Sequence, residues 1–95
     1  MGNDDSQPRQ GYTIFIDTLF EGRVPLWRDG DNKPCFYETQ NEAEREIAED
    51  LIQRLQDFLK GEREFEEAMT VEEFILPVDR LPDGSVVTED GGRFH

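Results

Sequence analysis

From Tyr12 to Asp17 the chain alternates: Tyr12, Ile14 and Ile16 fall on one parity, Thr13, Phe15 and Asp17 on the other. That two-residue period, in β-branched and aromatic residues, predicts a strand. A turn at Glu21-Gly22 leads into "RVPLWR", Arg23 to Arg28, a second predicted strand. Pro25 has no N–H to give a ladder, which places this strand at an edge. "DGDNKP" predicts a loop and "CFYE" a short third strand, so the first forty residues predict an antiparallel meander.

The period then changes. Thr39 with Glu42 three residues later is a capping box, and Ala43, Ile47, Ala48, Leu51, Ile52, Leu55, Phe58 and Leu59 recur at helical spacing. Gly61 after Lys60 supplies the stop, with a cation in the last turn. A helix over about residues 40 to 60 follows, roughly 30 Å long. "EREFEEAM" is compatible with a second, short helix, and Thr70 with Glu73 repeats the capping box, predicting one more helical turn at "TVEEF". "FILPVDRL" and "SVVTE" flank Pro82-Asp83-Gly84, turn residues in turn order, and predict a closing hairpin.

These elements predict an α+β fold: a small antiparallel sheet, meander plus C-terminal hairpin, packed against one long amphipathic helix. Ninety-five residues make one domain. Residues 1–10 are expected as a loose polar tail, 11–90 as the domain and 91–95, "GGRFH", as a frayed end. With 35% hydrophobic residues, the chain supports only one modest core.

Charge narrows the partners. The formal net charge is −13, which repels nucleic acid and anionic membrane surfaces and favours basic partners. Residues 38–73 hold thirteen acids against four bases, a net of −9 out of that −13. On a helical wheel Glu42, Glu46, Glu49, Asp50 and Asp57 gather opposite the apolar arc, and Glu62, Glu64, Glu66 and Glu67 extend the patch. Glu44 lands on the apolar side, in the first turn, where the helix dipole favours an anion. Like charges one turn apart cost about 0.2 to 0.5 kcal/mol per pair. Burying a large apolar side chain contributes about 1.5 to 3 kcal/mol, so the ridge needs no partner to exist. The bases are eight Arg and two Lys, a balance that a high-salt or GC-rich host also produces. In composition and size the chain is similar to the DNA-mimic inhibitors carried by phages and mobile elements. That likeness is of charge and length, and it implies carboxylates standing in for backbone phosphates.

Other chemistry finds little support in the residues. "DGDNKPCFYETQ" invites comparison with a calcium loop, but Lys33, Pro34 and Gln40 occupy positions that need a ligand, a glycine and a bidentate acid. Asp29 and Asp31 remain as weak cation ligands at most. Cys35 has no histidine near it in sequence, and the one histidine is His95, so neither a Cys–His nucleophile nor a zinc site is expected. Carboxylates abound, yet nothing marks one as buried for acid–base work except Asp17 and Glu44 as candidates. No cofactor, no metal and no catalysis are expected.

The single cysteine excludes an intrachain disulfide and suits a reducing compartment. The opening "MGNDDSQPRQG" lacks a signal-peptide pattern, and no run is long enough to span a bilayer, so a cytoplasmic protein is expected. Two functions remain. The first is a non-catalytic acidic binding protein that presents the nine named carboxylates to a basic protein, as a nucleic-acid-mimicking inhibitor. The second is a small structural or assembly subunit that docks through apolar surface near Trp27, its acidity reflecting solubility or host.

Overall fold

In this computed structural model, which describes residues 8–95, the alternating stretch is the middle of β1 (Arg9–Thr18). It turns back at Leu19–Glu21 into β2 (Gly22–Pro25), whose last residue is the edge proline. The chain continues through α1 (Gln40–Leu59), α2 (Phe65–Met69), β3 (Phe74–Arg80), β4 (Val86–Thr88) and β5 (Arg93–Phe94). All five strands form one antiparallel sheet in the order β2-β1-β3-β4-β5. A small α+β fold with one long helix is the architecture.

Register explains where the core sits. Side chains alternate across a strand, so Gly11, Thr13 and Phe15 share one face. Val78, Leu76 and Phe74 lie opposite them on β3. Phe15, Val78 and Val86 are buried there, packed by Phe36, Phe74, Leu76 and Phe94. The Phe15 ring meets Phe94 edge-on at 5.0 Å between centroids and stacks against Phe74 at 6.3 Å. The sheet curls around this cluster. Arg23 on β2 reaches across to Asp90 beyond β4, with both carboxylate oxygens within 3.0 Å of one guanidinium nitrogen. Its guanidinium carbon lies 5.8 Å from the Phe15 ring centre and 5.9 Å from that of Phe94, closing the mouth with a cation over two aromatic faces.

The expected third strand is not one. Leu26 N–H still donates to Ile14 C=O, and residues 27–37 then leave the sheet and return as a small loop, with Cys35 N–H donating to Trp27 C=O and Asp29 N–H to Lys33 C=O. Only Tyr37 rejoins β1, exchanging two 2.8 Å hydrogen bonds with Tyr12. The strand that flanks β1 on its other side is instead β3, from the C-terminal part. Gly11 allows this return. A Cβ there would lie 2.5 Å from the Tyr37 carbonyl and 2.3 Å from the Phe36 ring. Thr13, almost fully buried, is satisfied by its hydroxyl donating to Cys35 C=O at 2.9 Å.

Three further expectations change. The turn at "TVEEF" is not helical: the Thr70 hydroxyl and N–H both donate to Glu66 C=O, ending α2 rather than starting a new helix. The C-terminus does not fray from residue 91, because Arg93 and Phe94 pair with β4. Of the tail expected at 1–10, residues 1–7 lie outside the described residues, while Arg9 and Gln10 belong to β1. The last two hairpins share one device. "PDGS" and "EDGG" each place Asp before a glycine of positive φ, Gly84 at 90° and Gly91 at 94°. In both, the Asp carboxylate accepts the N–H two residues on.

The capping box of α1 is present in full: Glu42 N–H donates to the Thr39 hydroxyl, and Thr39 N–H to the Glu42 carboxylate. At the other end Gly61, φ 82°, donates to Phe58 C=O and Glu62 N–H to Asp57 C=O, a Schellman stop. The helix does not centre its apolar arc on the sheet. Ala43 is its one fully buried residue, with Ile47, Asp50, Leu51, Arg54, Asp57 and Phe58 among its half-buried ones. Ala48, Ile52 and Leu59 face solvent, so the helix is turned by roughly a quarter-turn from the expected orientation. Its far half carries α2, through Phe58 against Phe65 at 5.3 Å, and Ala68 is buried. The result is elongated, 54 × 30 × 21 Å, with a radius of gyration of 15.3 Å, against about 12 Å for a compact chain of this length.

Candidate functional site

The quarter-turn of α1 sorts the charges of the helical arm. Arg54 points inward with its side chain only 13% exposed, between Asp50 and Glu73. Its Nε lies 3.1 Å from Asp50 Oδ2 with the N–H off-axis, so charge attraction rather than an aligned hydrogen bond holds that contact. Glu73 is nearly buried beside it, and a further guanidinium nitrogen of Arg54 donates to Thr70 C=O. Arg63 folds back similarly onto Asp57 at 3.5 Å. Two of the four bases in residues 38–73 are thereby turned in toward the groove between arm and sheet and neutralised there. Arg45, bonded to Asn41, and Lys60 stay on the outside.

The acids divide accordingly. Of the thirteen carboxylates in that segment, Glu38, Asp50, Asp57 and Glu73 are ion-paired. The other nine, among the described residues, have no cationic partner, and all of them are exposed. Glu42 and Glu49 lie on the solvent side of α1, although Glu42 also serves the cap, and Glu46 is exposed at the rim of a recess that Cys35 and Tyr37 also line. Glu62, Glu64, Glu66 and Glu67 continue the surface through the turn into α2. Asp50 and Asp57, expected on the ridge, sit on its inner flank in ion pairs. Glu44 and Glu72 are exposed members that the wheel did not place on the ridge. The sequence signal that marks Asp50 and Asp57 as different is their spacing from Arg54 and Arg63.

A groove of about 610 Å³ separates the arm from the sheet, with Ile16, Leu26 and Trp27 on one wall and Arg54, Arg63, Glu66 and Glu72 on the other. Trp27 is half-buried, not packed away under the helix. It also borders a smaller recess with Asp29, Cys35, Phe36, Tyr37, Glu46 and Arg80. Burial, then the Asp29 charge, pushes the Cys35 thiol up, and burial pushes the Tyr37 phenol up, so both stay protonated at neutral pH. The Asp29 carboxylate accepts the N–H groups of Lys33 and Asp31, and the Lys33 bond holds its pKa below the usual range. It organises its loop.

The largest exposed apolar side chains lie elsewhere. Leu19 and Phe20, at the tip of the β1–β2 hairpin, are 96% and 97% exposed. Among the described residues no group of three or more His, Cys, Asp or Glu side chains is arranged to hold a metal ion. No helix among them is long and apolar enough to cross a membrane. No protein-family model, no curated protein and no solved structure matches the chain.

Proposed function

We propose that this chain is a non-catalytic binding protein whose helical arm, α1 with α2, presents an uncompensated carboxylate surface to a basic protein. One observation carries the reading: Arg54 and Arg63 turn inward to neutralise Asp50, Glu73 and Asp57, while Glu49, Glu62 and Glu64, clear of the groove and the recess, and Glu46, Glu66 and Glu67, at their rims, stay exposed without cations. A surface made acidic only for solubility has no reason to hide its cations. Carboxylates about one helical turn apart present a row of negative oxygens to a site built for phosphates, so a nucleic-acid-binding protein is the partner this surface suits.

The test is capture from native lysate at low and high salt, with wild type and a Glu46→Lys, Glu49→Lys, Glu67→Lys variant. These three are exposed and make no ion pair, so reversal leaves the fold intact; Asp50 is spared because it holds Arg54. The reading expects a basic protein retained at low salt, released at high salt and lost by the variant. Retention unchanged by both salt and reversal contradicts it.

A second reading, docking through apolar surface as a structural subunit, is favoured by the almost complete exposure of Leu19 and Phe20. It places the interface at the β1–β2 tip rather than at Trp27 and expects capture to survive high salt.

A further inference from the structure

The recess beside Trp27 forms where three parts of the chain meet: the 27–37 loop, α1 through Glu46, and Arg80, the last residue of β3. Its volume, about 340 Å³, lies in the small-molecule range of about 300 to 1,000 Å³. The Trp27 indole and Tyr37 phenol, both half-buried, supply its apolar surface. Cys35 and Tyr37 stay protonated at neutral pH, so the charges that line it are those of Arg80, Asp29 and Glu46.

Those three charges are not closed on one another. Arg80 lies over the Phe36 ring at 5.7 Å, yet among the described residues its guanidinium makes no ion pair or hydrogen bond. Its nitrogens are not sealed in, so a ligand can reach them. Asp29 feels the Arg80 charge without touching it. Its Oδ1 accepts the N–H groups of both Asp31 and Lys33, which leaves Oδ2 free. Glu46 is exposed and has no cationic partner.

Opposite charges that line one cavity and stay apart are bridged by a ligand that carries both. A simple cation is opposed here by Arg80, and a simple anion by Asp29 and Glu46. An α-amino acid carries a carboxylate and an ammonium side by side, and an apolar side chain on it has the indole to lie against.

We propose that the recess between Trp27 and Arg80 binds a free α-amino acid with an apolar side chain, its carboxylate on Arg80, its ammonium between Asp29 and Glu46, and its side chain against the Trp27 indole. This goes beyond the acidic-surface reading and needs no protein partner; Glu46 borders both sites.

Trp27 is the chain's one tryptophan, so its fluorescence reports binding directly. Phenylalanine and leucine are titrated into the full chain, each beside its amide, which lacks the carboxylate, and its deaminated acid, which lacks the ammonium. The titrations run at about pH 6, where the amine of the amide is charged. At least one of the two amino acids is expected to shift the emission saturably. It should bind at least about tenfold more tightly than its amide or its deaminated acid, the worth of one hydrogen bond to a charged group. Arg80→Gln should erase the preference over the amide, and Glu46→Gln should narrow the preference over the deaminated acid. Thermal unfolding verifies that both variants fold, and Glu46, exposed and unpaired, decides the matter if Arg80→Gln does not. No saturable shift with either amino acid overturns the proposal. So does equal affinity for the amide or the deaminated acid, or preferences that survive unchanged in the folded variants.

Discussion

The curled sheet and the helical arm are built on opposite economies. The sheet closes on Phe15, Val78 and Val86, and its charges meet across it, Arg23 with Asp90 and Arg93 with Asp83. The arm buries little beyond Ala43 and Ala68 and leaves Ile52, Leu59, Phe65 and Met69 half or more exposed. It carries most of the net charge. Stability resides in the first region, while the second is a surface held out from it. The difference teaches that the exposed acids of the arm are less bound by packing than the residues of the sheet, while Arg54 and Glu73 hold the arm from within.

The largest effect that tests this contrast is in the sheet. Phe15→Ala should cost about 3 to 5 kcal/mol, because the ring is fully buried among Phe74, Phe94 and Val86. Ile52→Asn in the arm should change stability by no more than about 0.5 kcal/mol. Urea unfolding of the two variants checks the pair, and comparable losses would erase the distinction. Arg54→Ala is the arm's most costly change, about 3 kcal/mol, since it leaves the nearly buried Glu73 without its cation. Faster proteolysis between α1 and β3 is the accompanying readout. Thr39→Ala removes the capping hydroxyl and should cost about 1 kcal/mol, visible as a small drop in the unfolding midpoint.

The smallest effect is in acid. The Ser85 hydroxyl and N–H hold the Asp83 carboxyl at about 2, and the Thr88 hydroxyl with Arg23 holds that of Asp90 at about 2. Both lie below the ordinary 3.8, so the unfolded chain takes up protons at a higher pH than the native one. Their contribution is complete above pH 3.8 and is lost as the pH falls through about 2. An Asp83→Asn, Asp90→Asn variant should show a flatter dependence of midpoint on pH over that window. An unchanged slope would mean these turns do not hold the sheet's end.

Where residues act through their neighbours in sequence, the chain announced its structure. Thr39 and Glu42 cap, Gly61 stops the helix, and Pro82-Asp83-Gly84 turns, because each of these bonds closes within a few residues. The orientation of α1 was not legible in the same way. Its wheel shows a wide apolar arc, and which part is covered depends on Arg54 reaching Glu73, nineteen residues on. Phe36 and Tyr37 read as strand, but β1's flank was won by β3, whose seven-residue register offers more ladder than "CFYE". The final hairpin was present in "EDGG", the same turn pattern as "PDGS", and the chain end obscured it. Of the candidate site, Glu46, Glu49 and Glu62 to Glu67 were readable from density alone. That Asp50 and Asp57 are occupied rests on local pairs, with Arg54 four residues on and Arg63 six on; the inward turn of those two bases was what the wheel did not show.

The most direct measurement is amide NMR of the full chain titrated with a basic protein retained in the low-salt capture. The account predicts shifts concentrated between Glu42 and Glu67, fading as salt is raised, with the sheet and the Leu19–Phe20 tip undisturbed. Shifts confined to that tip or to the sheet, and indifferent to salt, would contradict it.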